Sequence, residues 1–297
     1  MLVSALTLLP ANEPQASYQP RFQWPLQQEK LPAIHGLTST FAESRYDHFH
    51  NGLDISSLNQ GIKPVASGSV LYSRHSDDDP WQPVPGPGNY LFLGHGQGWL
   101  SGYYHLKADK PLKRRGLVQN DTIIAYSGNS GHSAGAHLHF FMARDHGREI
   151  LNPLSLLPPA SDSLAPVIGQ LVIKTPQANT LISHSRLENI RLSQSWPVQV
   201  TIIDPGLEKH TRRGIYQLEW SLNNGAWEKR QYDKLYFKNG DWLLEQRYPF
   251  ESIFQYGYYN LGALDFKQGL NRLQLRARDI QQNQTEVLYE INVNKEY

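Results

Sequence analysis

The chain has 297 residues, a length typical of two domains, and its 39% hydrophobic and 19% charged residues are the composition of a folded protein rather than a disordered one. Lysine and arginine number 28 against 27 acidic residues, so no overall basic field exists and we expect no nucleic-acid partner. The chain has no cysteine, which excludes disulfides, thiolate metal sites and a cysteine nucleophile. Any bound metal must therefore be held by His, Asp or Glu.

The N-terminus carries a short apolar run. Residues 2–10 read LVSALTLLP and are followed by Ala11 and polar residues, a pattern typical of the core of a secretory signal. The basic region that normally precedes such a core is missing, so an apolar arm that packs on the body is the alternative. We predict that residues 1–30 are an export signal or an N-terminal arm. No run approaches the roughly 18 apolar residues that span a bilayer, so we expect no membrane span.

The first half of the chain is rich in histidine and poor in helical patterns. Its apolar runs are short, are interrupted by glycine and proline, and lack helical periodicity, which predicts an all-β domain. The proline-rich segment of residues 75–88 predicts an exposed insertion that borders a cleft. The segment LPPASDSLAP, residues 157–166, has the composition of a linker and marks the domain boundary.

The second half shows strand patterns with turns between them. The candidate strands are residues 198–204, 216–222, 270–278 and 287–293. Alternation in the third places Leu273, Leu275 and Ala277 on one face, and the Asn-Asn-Gly sequence of residues 223–225 indicates a hairpin. Strands and turns at this spacing predict an immunoglobulin-like β-sandwich over residues 165–297.

Two short motifs point to metal chemistry. His137 and His139 are two residues apart on a predicted strand, so both side chains project from one face. His50 and Asp54 are four residues apart, and Gly52 between them permits a sharp backbone path that brings imidazole and carboxylate together. Two nitrogens and one oxygen are a ligand set for an open zinc site, which keeps its fourth position for water.

The segments around these motifs carry a family resemblance. They are YDHFHNGLDI (residues 46–55), PVASG (64–68), GYYHL (102–106) and YSGNSGHSAGAHLHF (126–140). In this order they resemble the lysostaphin and LytM type of zinc metallopeptidase, whose members cut peptide bonds in bacterial peptidoglycan. The resemblance covers roughly residues 36–157 and implies a peptidase domain over residues 31–158 with the β-fold called the duplicated hybrid motif.

The resemblance also implies a role for each histidine of the motifs. His50, Asp54 and His139 match the three zinc ligands, and the cofactor is one zinc ion. His105 and His137 match the two histidines that the family keeps beside the metal without ligating it. Because the HExxH glutamate of other zinc peptidases is absent, these two imidazoles would share the catalytic duties of base, acid and oxyanion stabilisation.

Some positions near the first ligand leave alternatives open. The family places an arginine or tyrosine shortly before that ligand, and Arg45 and Tyr46 both satisfy this pattern. His48 forms a second H-x-H with His50 and competes for the metal. The preferred interpretation is that its imidazole faces solvent or lies behind the metal ligands without binding the metal.

A serine-hydrolase interpretation rests on the G-x-S-x-G match at residues 131–135. It would make Ser133 a nucleophile on a strand-to-helix turn. The sequence AHLHFF that follows is typical of a strand, so we favour a glycine-rich turn that leads into the strand of His137 and His139.

Taken together, the motifs predict an exported zinc endopeptidase, a metalloprotease that acts on stem or cross-link peptides of peptidoglycan in the periplasm or outside the cell. The alternative is a catalytically latent or regulatory cell-wall-binding protein with the same fold, in which another segment of the chain covers the cleft. The partner of the C-terminal domain is not indicated by the sequence.

Overall fold

The computed structural model describes residues 21–26, 36–78, 81, 86–175, 178–206 and 212–296. Most of the predicted export segment, residues 1–30, lies outside these ranges. Residues 36–158 are called the first half below, and residues 165–296 the second half. Among the described residues, every helix is too short or too polar to cross a membrane.

Short strands make up the first half, with breaks at glycine and proline as the sequence predicts. They are β1 (Leu37–Ser39), β2 (Ser44–Arg45), β3 (His48–Phe49), β4 (Leu53–Ser56), β5 (Gly61–Ile62), β6 (Gly68–Arg74), β7 (Asn89–Gly94), β8 (Leu100–Leu106), β9 (Leu117–Val118), β10 (Ala125–Tyr126), β11 (His137–Arg144) and β12 (Glu149–Leu151). Three 3-10 turns join them, at Ser76–Asp78, Asp145–Gly147 and Pro153–Ser155.

Strand β11 is the centre of the main sheet. One edge pairs with β8, while the other pairs with β4 near its start and with β12 near its end. Leu138 and Phe140 point into the core of the first half. Phe141 and Ala143 alternate with them and join the core that the second half builds. His139 is two residues before Phe141, so the candidate site and the second half share one face of this strand.

The second half is also β-structure. Its strands are β13 (Val167–Lys174), β14 (Asn179–Ile182), β15 (Glu188–Leu192), β16 (Pro197–Pro205), β17 (Arg212–Arg213), β18 (Gln217–Leu222), β19 (Glu228–Gln231), β20 (Lys234–Lys238), β21 (Asp241–Leu244), β22 (Phe254–Gln255), β23 (Tyr258–Ala263), β24 (Gly269–Arg278) and β25 (Gln284–Lys295). One helix of four residues, α1 (Phe250–Ile253), precedes β22. The predicted all-β class is therefore confirmed for the described residues.

Two sheets of the second half share one core. The first has the order β14-β13-β16-β23-β22, and the second has the order β15-β25-β24-β18-β19. Leu273, Leu275 and Ala277 are fully buried, as their alternation on β24 predicts. Asn223 and Asn224 adopt positive φ at the turn between β18 and β19, in the predicted hairpin. The immunoglobulin-like type stays a prediction; the pair β15–β25 is parallel, in an otherwise antiparallel arrangement.

A hairpin of the second half extends the sheet of the first. Strand β20 pairs antiparallel with β12, placing Leu235 opposite Ile150, and β21 pairs with β20. Both residues are buried in a single apolar cluster that draws on the two halves. The two halves therefore pack as one continuous structure, which the linker composition of residues 157–166 did not indicate.

A buried charge cluster lies at the same junction. The guanidinium of Arg213 donates from Nη2 to Asp162 Oδ2 at 2.8 Å and lies 3.5 Å from Asp204 Oδ2. Asp279 lies within 4.8 Å of both carboxylates. One cation thus faces three buried acids. Burial raises the pKa of Asp204 to about 7, since the attraction of Arg213 only partly offsets burial and the repulsion of Asp279 and Asp162.

This raised pKa gives Asp204 a contribution to the stability of the protein that falls as pH rises. Between about pH 4 and pH 7 the folded chain binds a proton at Asp204 that the unfolded chain releases, so alkalinity favours unfolding. Relative to Asp204→Asn, we expect the free energy of unfolding of the parent protein to drop by roughly 2–4 kcal/mol over this range. Urea unfolding of both proteins at stepped pH measures the difference. Parallel stability curves would show that Asp204 does not carry this proton.

Candidate metal centre

Strand pairing brings the two motifs of the sequence together. In the antiparallel pair of β4 and β11, Asp54 lies directly opposite His139. Residues opposite each other in such a pair point to the same face of the sheet. His50 lies just before β4, where its backbone N–H donates to the Glu43 carbonyl at 2.8 Å. Three side chains far apart in sequence thus meet on one face.

The three side chains converge on a common point. Asp54 Oδ1 lies 2.9 Å from His139 Nδ1 and 3.1 Å from His50 Nε2. The two imidazole nitrogens are themselves 3.1 Å apart. All three residues are buried. The side chains of His50, Asp54 and His139 therefore form one compact cluster of ligand atoms.

The hydrogen-bond chemistry of this cluster fits a bound cation. His50 Nδ1 lies 2.7 Å from the Thr40 carbonyl, which can only accept, so Nδ1 carries the proton and Nε2 presents a lone pair to Asp54. Lone pairs of a neutral imidazole and a carboxylate repel at this distance unless a proton or metal ion lies between them. The donor set of two nitrogens and one oxygen is that of an open zinc site.

The electrostatics of the cluster keep its groups in the protonation states that metal ligands need. Burial raises the pKa of Asp54, but hydrogen bonds and charge from His139 and His50 outweigh it and hold that pKa well below its usual range. Burial lowers the pKa of His139 to about 4, against the opposing attraction of Asp54. The carboxylate is therefore ionised and the imidazole of His139 neutral near pH 7.

His105 and His137 lie beside the cluster. Their ring centroids are 4.7 Å apart, and His137 Nε2 is 3.5 Å from Asp54 Oδ1. Each ring holds its Nδ1 2.8 Å from a backbone carbonyl, that of Ser130 for His105 and that of Gly135 for His137. Each Nδ1 therefore donates, and each Nε2 is left to accept or deliver a proton. Burial lowers the pKa of His105, which favours its neutral form.

His105 also adopts a backbone conformation that the sequence did not reveal. Its φ is +59°, in the left-handed region that a non-glycine residue enters at a cost of about 1–3 kcal/mol. Its N–H donates to the Pro87 carbonyl at 2.9 Å. Pro87 and Gly86 end the predicted insertion of residues 75–88 and line the cleft. Residues 79–80 and 82–85 of that insertion lie outside the described residues.

Arg45 and Tyr46 differ sharply in placement. Arg45 Nη2 donates to Asp54 Oδ2 at 2.6 Å and to Ser39 Oγ at 2.5 Å. Tyr46 is fully exposed. Arg45 is therefore the residue of this pair that reaches the cluster, where it fixes the orientation of the Asp54 carboxylate.

The competing motifs do not form sites. The His48 side chain is 71% exposed and pairs with Asp47 at 2.7 Å, outside the cluster. Ser133 Oγ donates to the Gly135 carbonyl at 2.7 Å and is followed by β11 rather than by a helix. The strand-turn-helix geometry of a nucleophile elbow is therefore absent at Ser133.

Gly52 has a different role from the one predicted. Its φ lies outside the left-handed region, so no sharp turn requires glycine here. A methyl group at this position would overlap the Phe140 carbonyl oxygen and lie 3.0 Å from His139 Nε2. Glycine is needed because β4 and β11 approach closely at the ligand cluster.

The cluster opens into a cleft of ≈ 980 Å³. His50, Asp54, His137 and His139 line it together with His105. Every lining residue falls between positions 38 and 139 of the described chain, so the second half does not contribute to this wall. The arrangement leaves room for an extended peptide beside the ligand atoms.

Comparison with known proteins finds similarity to one peptidase family in the first half. The sequence profile of peptidase family M23 matches residues 48–153, and a second family profile matches residues 165–294. An uncharacterized metalloprotease of Haemophilus influenzae is 33% identical over 115 residues, 38% of this chain and 22% of the relative. The peptidoglycan DD-endopeptidase ShyA of Vibrio cholerae is 26% identical over 136 residues, 45% of this chain and 29% of the relative.

One solved structure that matches part of this chain is a zinc-containing peptidase from Vibrio cholerae. It shares 26% identity, covers 45% of this chain and 39% of its own, and gives a TM-score of 0.36. The chain spans between about a fifth and a third of the length of the curated relatives it matches. The family profile and the curated relatives confirm the resemblance of the motifs: residues 48–153 match the profile of peptidase family M23.

Proposed function

We propose that this protein is a zinc-dependent endopeptidase, a hydrolase that cuts peptide bonds in bacterial peptidoglycan. The observation that carries the proposal is the convergence of His50 Nε2, Asp54 Oδ1 and His139 Nδ1, three potential ligand atoms that lie within 3.1 Å of one another. This set lies in an open cleft, as a catalytic zinc site requires.

Three atoms would hold the zinc ion: His50 Nε2, Asp54 Oδ1 and His139 Nδ1. When bound, zinc lowers the pKa of a coordinated water to about 7 and polarises a carbonyl. Arg45 keeps the second oxygen of Asp54 in a charge-assisted hydrogen bond, which leaves Oδ1 directed at the cluster.

His105 and His137 would carry the proton transfers of peptide hydrolysis. With Nδ1 donating to a carbonyl, the Nε2 atom of each neutral ring can accept a proton from water and pass it to the leaving amine. The same groups, when protonated, can stabilise negative charge on the carbonyl oxygen. The two rings are adjacent, so we assign these roles to the pair.

The proposed substrate class follows from the relatives. Relatives named DD-carboxypeptidase/endopeptidase and DD-endopeptidase match this chain over 148 and 136 residues, respectively. We therefore propose stem or cross-link peptides of peptidoglycan as the substrate, and an extracytoplasmic location, in the periplasm or after secretion. The binding partner of the second half is left unassigned.

The latent alternative requires that another part of the chain block the cleft. All residues that line it belong to the first half within the described ranges, and the second half packs on a different part of the sheet. Among the described residues, the second half therefore leaves the cleft uncovered, which favours the active enzyme over a binder blocked by its own second half.

Digestion of purified peptidoglycan by the full chain tests the proposal. With cross-linked muropeptides prepared from that peptidoglycan by a muramidase, we expect release of smaller muropeptides, abolished by 1,10-phenanthroline and restored by zinc but not by magnesium, because imidazole ligands favour zinc. Mass spectrometry of the products identifies the bond that is cut, and elemental analysis gives the zinc content. Absence of zinc from the purified protein, together with chelator-insensitive or undetectable turnover, would overturn the proposal.

A further inference from the structure

We propose that the second half of the chain acts as a positioning element for the metal ligand His50, through Gly214 and Glu43. This inference rests on the proposed zinc function. It makes Glu43 a positioning residue that acts through two neighbours of His50 rather than by touching substrate or metal.

Glu43 organises both groups that face His50 Nδ1. That nitrogen lies 2.7 Å from the Thr40 carbonyl and 3.1 Å from Ser39 Oγ. Glu43 Oε2 accepts from Ser39 Oγ at 2.6 Å, and Oε1 accepts from Thr40 Oγ1 at 2.8 Å and from the Thr40 N–H. One carboxylate therefore fixes the residues that select the tautomer and orientation of His50.

Gly214 connects this carboxylate to the second half. Its N–H lies 3.0 Å from Glu43 Oε1 and 2.9 Å from Thr40 Oγ1, and donates to both. Gly214 is 171 residues from Glu43 in sequence. A methyl group at Gly214 would lie 2.7 Å from Glu43 Cγ, so even alanine forces the Glu43 side chain to move.

The position of Gly214 is itself rigidly set. Its neighbour Arg213 pairs with Asp204 in the β17–β16 ladder, and its buried guanidinium donates to Asp162 Oδ2 and to the Pro205 carbonyl. The N–H of Ile215, on the other side, donates to the Tyr259 hydroxyl at 3.3 Å. Gly214 is thus held on both flanks by buried contacts.

A second contact joins the two halves next to the same ligand. Phe49, immediately before His50, packs edge-to-face against Phe250 at a centroid distance of 5.3 Å and against Phe254 at 6.0 Å. These two rings belong to α1 and β22. The second half therefore supports the backbone of His50 by packing on Phe49, and acts on its imidazole indirectly, through the hydrogen bonds of Gly214 to Glu43 and Thr40.

This arrangement predicts an effect on metal affinity. Partners that orient a ligating histidine typically account for 10- to 100-fold in affinity or activity. We expect Glu43→Ala and Gly214→Ala each to raise the zinc Kd of the full chain about 10- to 100-fold, measured by competition with a chromogenic chelator. Glu43→Gln should stay within about threefold of the parent, since its amide oxygen still accepts from Gly214 and its NH₂ can donate to Ser39 Oγ.

Gly169→Ala is the matched control for destabilisation of the second half. Its methyl group would overlap Thr201 Oγ1, far from Glu43, so we expect a lower unfolding temperature with an unchanged zinc Kd. The inference is overturned if Glu43→Ala and Gly214→Ala keep the parent Kd, or if Gly169→Ala weakens zinc equally. A parent chain that binds no zinc would instead overturn the proposed function.

Discussion

His139→Ala is expected to lose both its zinc and its turnover, whereas His105→Ala should keep stoichiometric zinc and lose about 10²- to 10⁴-fold in turnover. His139 supplies Nδ1 at 2.9 Å from Asp54 Oδ1, so its removal leaves only two of the three ligand atoms. His105 lies outside that cluster, with its Nδ1 held by the Ser130 carbonyl. Elemental analysis of the dialysed proteins measures their zinc content, and muropeptide release measures their turnover.

His48→Ala is the control for this pair of variants. It removes an exposed imidazole that lines the cleft but lies outside the cluster, so zinc and turnover should both stay near the parent values. The assignment of roles is contradicted if His105→Ala loses its metal, or if His139→Ala retains one zinc per chain.

The ligand cluster could be predicted because its residues lie in short patterns with fixed geometric meaning. The i, i+2 spacing of His137 and His139 places both on one face of a strand, as the structure shows. Spacing alone left open which of these two histidines ligates, and the family resemblance named His139. In the structure it is His139, directly opposite Asp54, that enters the cluster.

Other parts of the site carry no local signal in the sequence. The left-handed φ of His105 accompanies contacts of its N–H with the Pro87 carbonyl and of its ring with the Ser130 carbonyl, which form only after the chain has folded. The contact of Gly214 with Glu43 spans 171 residues. Tertiary contacts of this kind follow from packing rather than from propensity.

The fold also has features with a local signal in the sequence and features without one. Alternation on β24 predicts its buried face, since period-2 patterns report directly on strands. The pairing of β20 with β12 across the predicted domain boundary has no signal in the sequence. The residues Lys234–Lys238 have no feature that assigns this strand to one sheet rather than another. The linker composition of residues 157–166 predicts a domain boundary, which stays a prediction; the pairing of β20 with β12 shows that the halves on its two sides are in contact.

Gly52→Ala is expected to disable the metal site although it changes no ligand. The added methyl group would overlap the Phe140 carbonyl oxygen and crowd His139 Nε2 at 3.0 Å. Relief requires that β4 separate from β11 or that the His139 ring rotate, and either movement displaces Nδ1 from Asp54. Because a shift of about 1 Å at a catalytic centre costs on the order of 10²-fold, we expect turnover to fall at least that far, with a weaker zinc Kd.

Gly61→Ala provides the comparison that isolates this effect. It is the same substitution in β5 of the first half, where the new methyl group meets only the side chain of Ile123, at 3.0 Å from its Cδ1. Its zinc Kd and muropeptide release should therefore match the parent. If both variants are active, the ligand geometry tolerates a wider separation of β4 and β11, and close approach at Gly52 is not what holds His139 against Asp54. If both are impaired, the loss does not come specifically from the contact at Gly52.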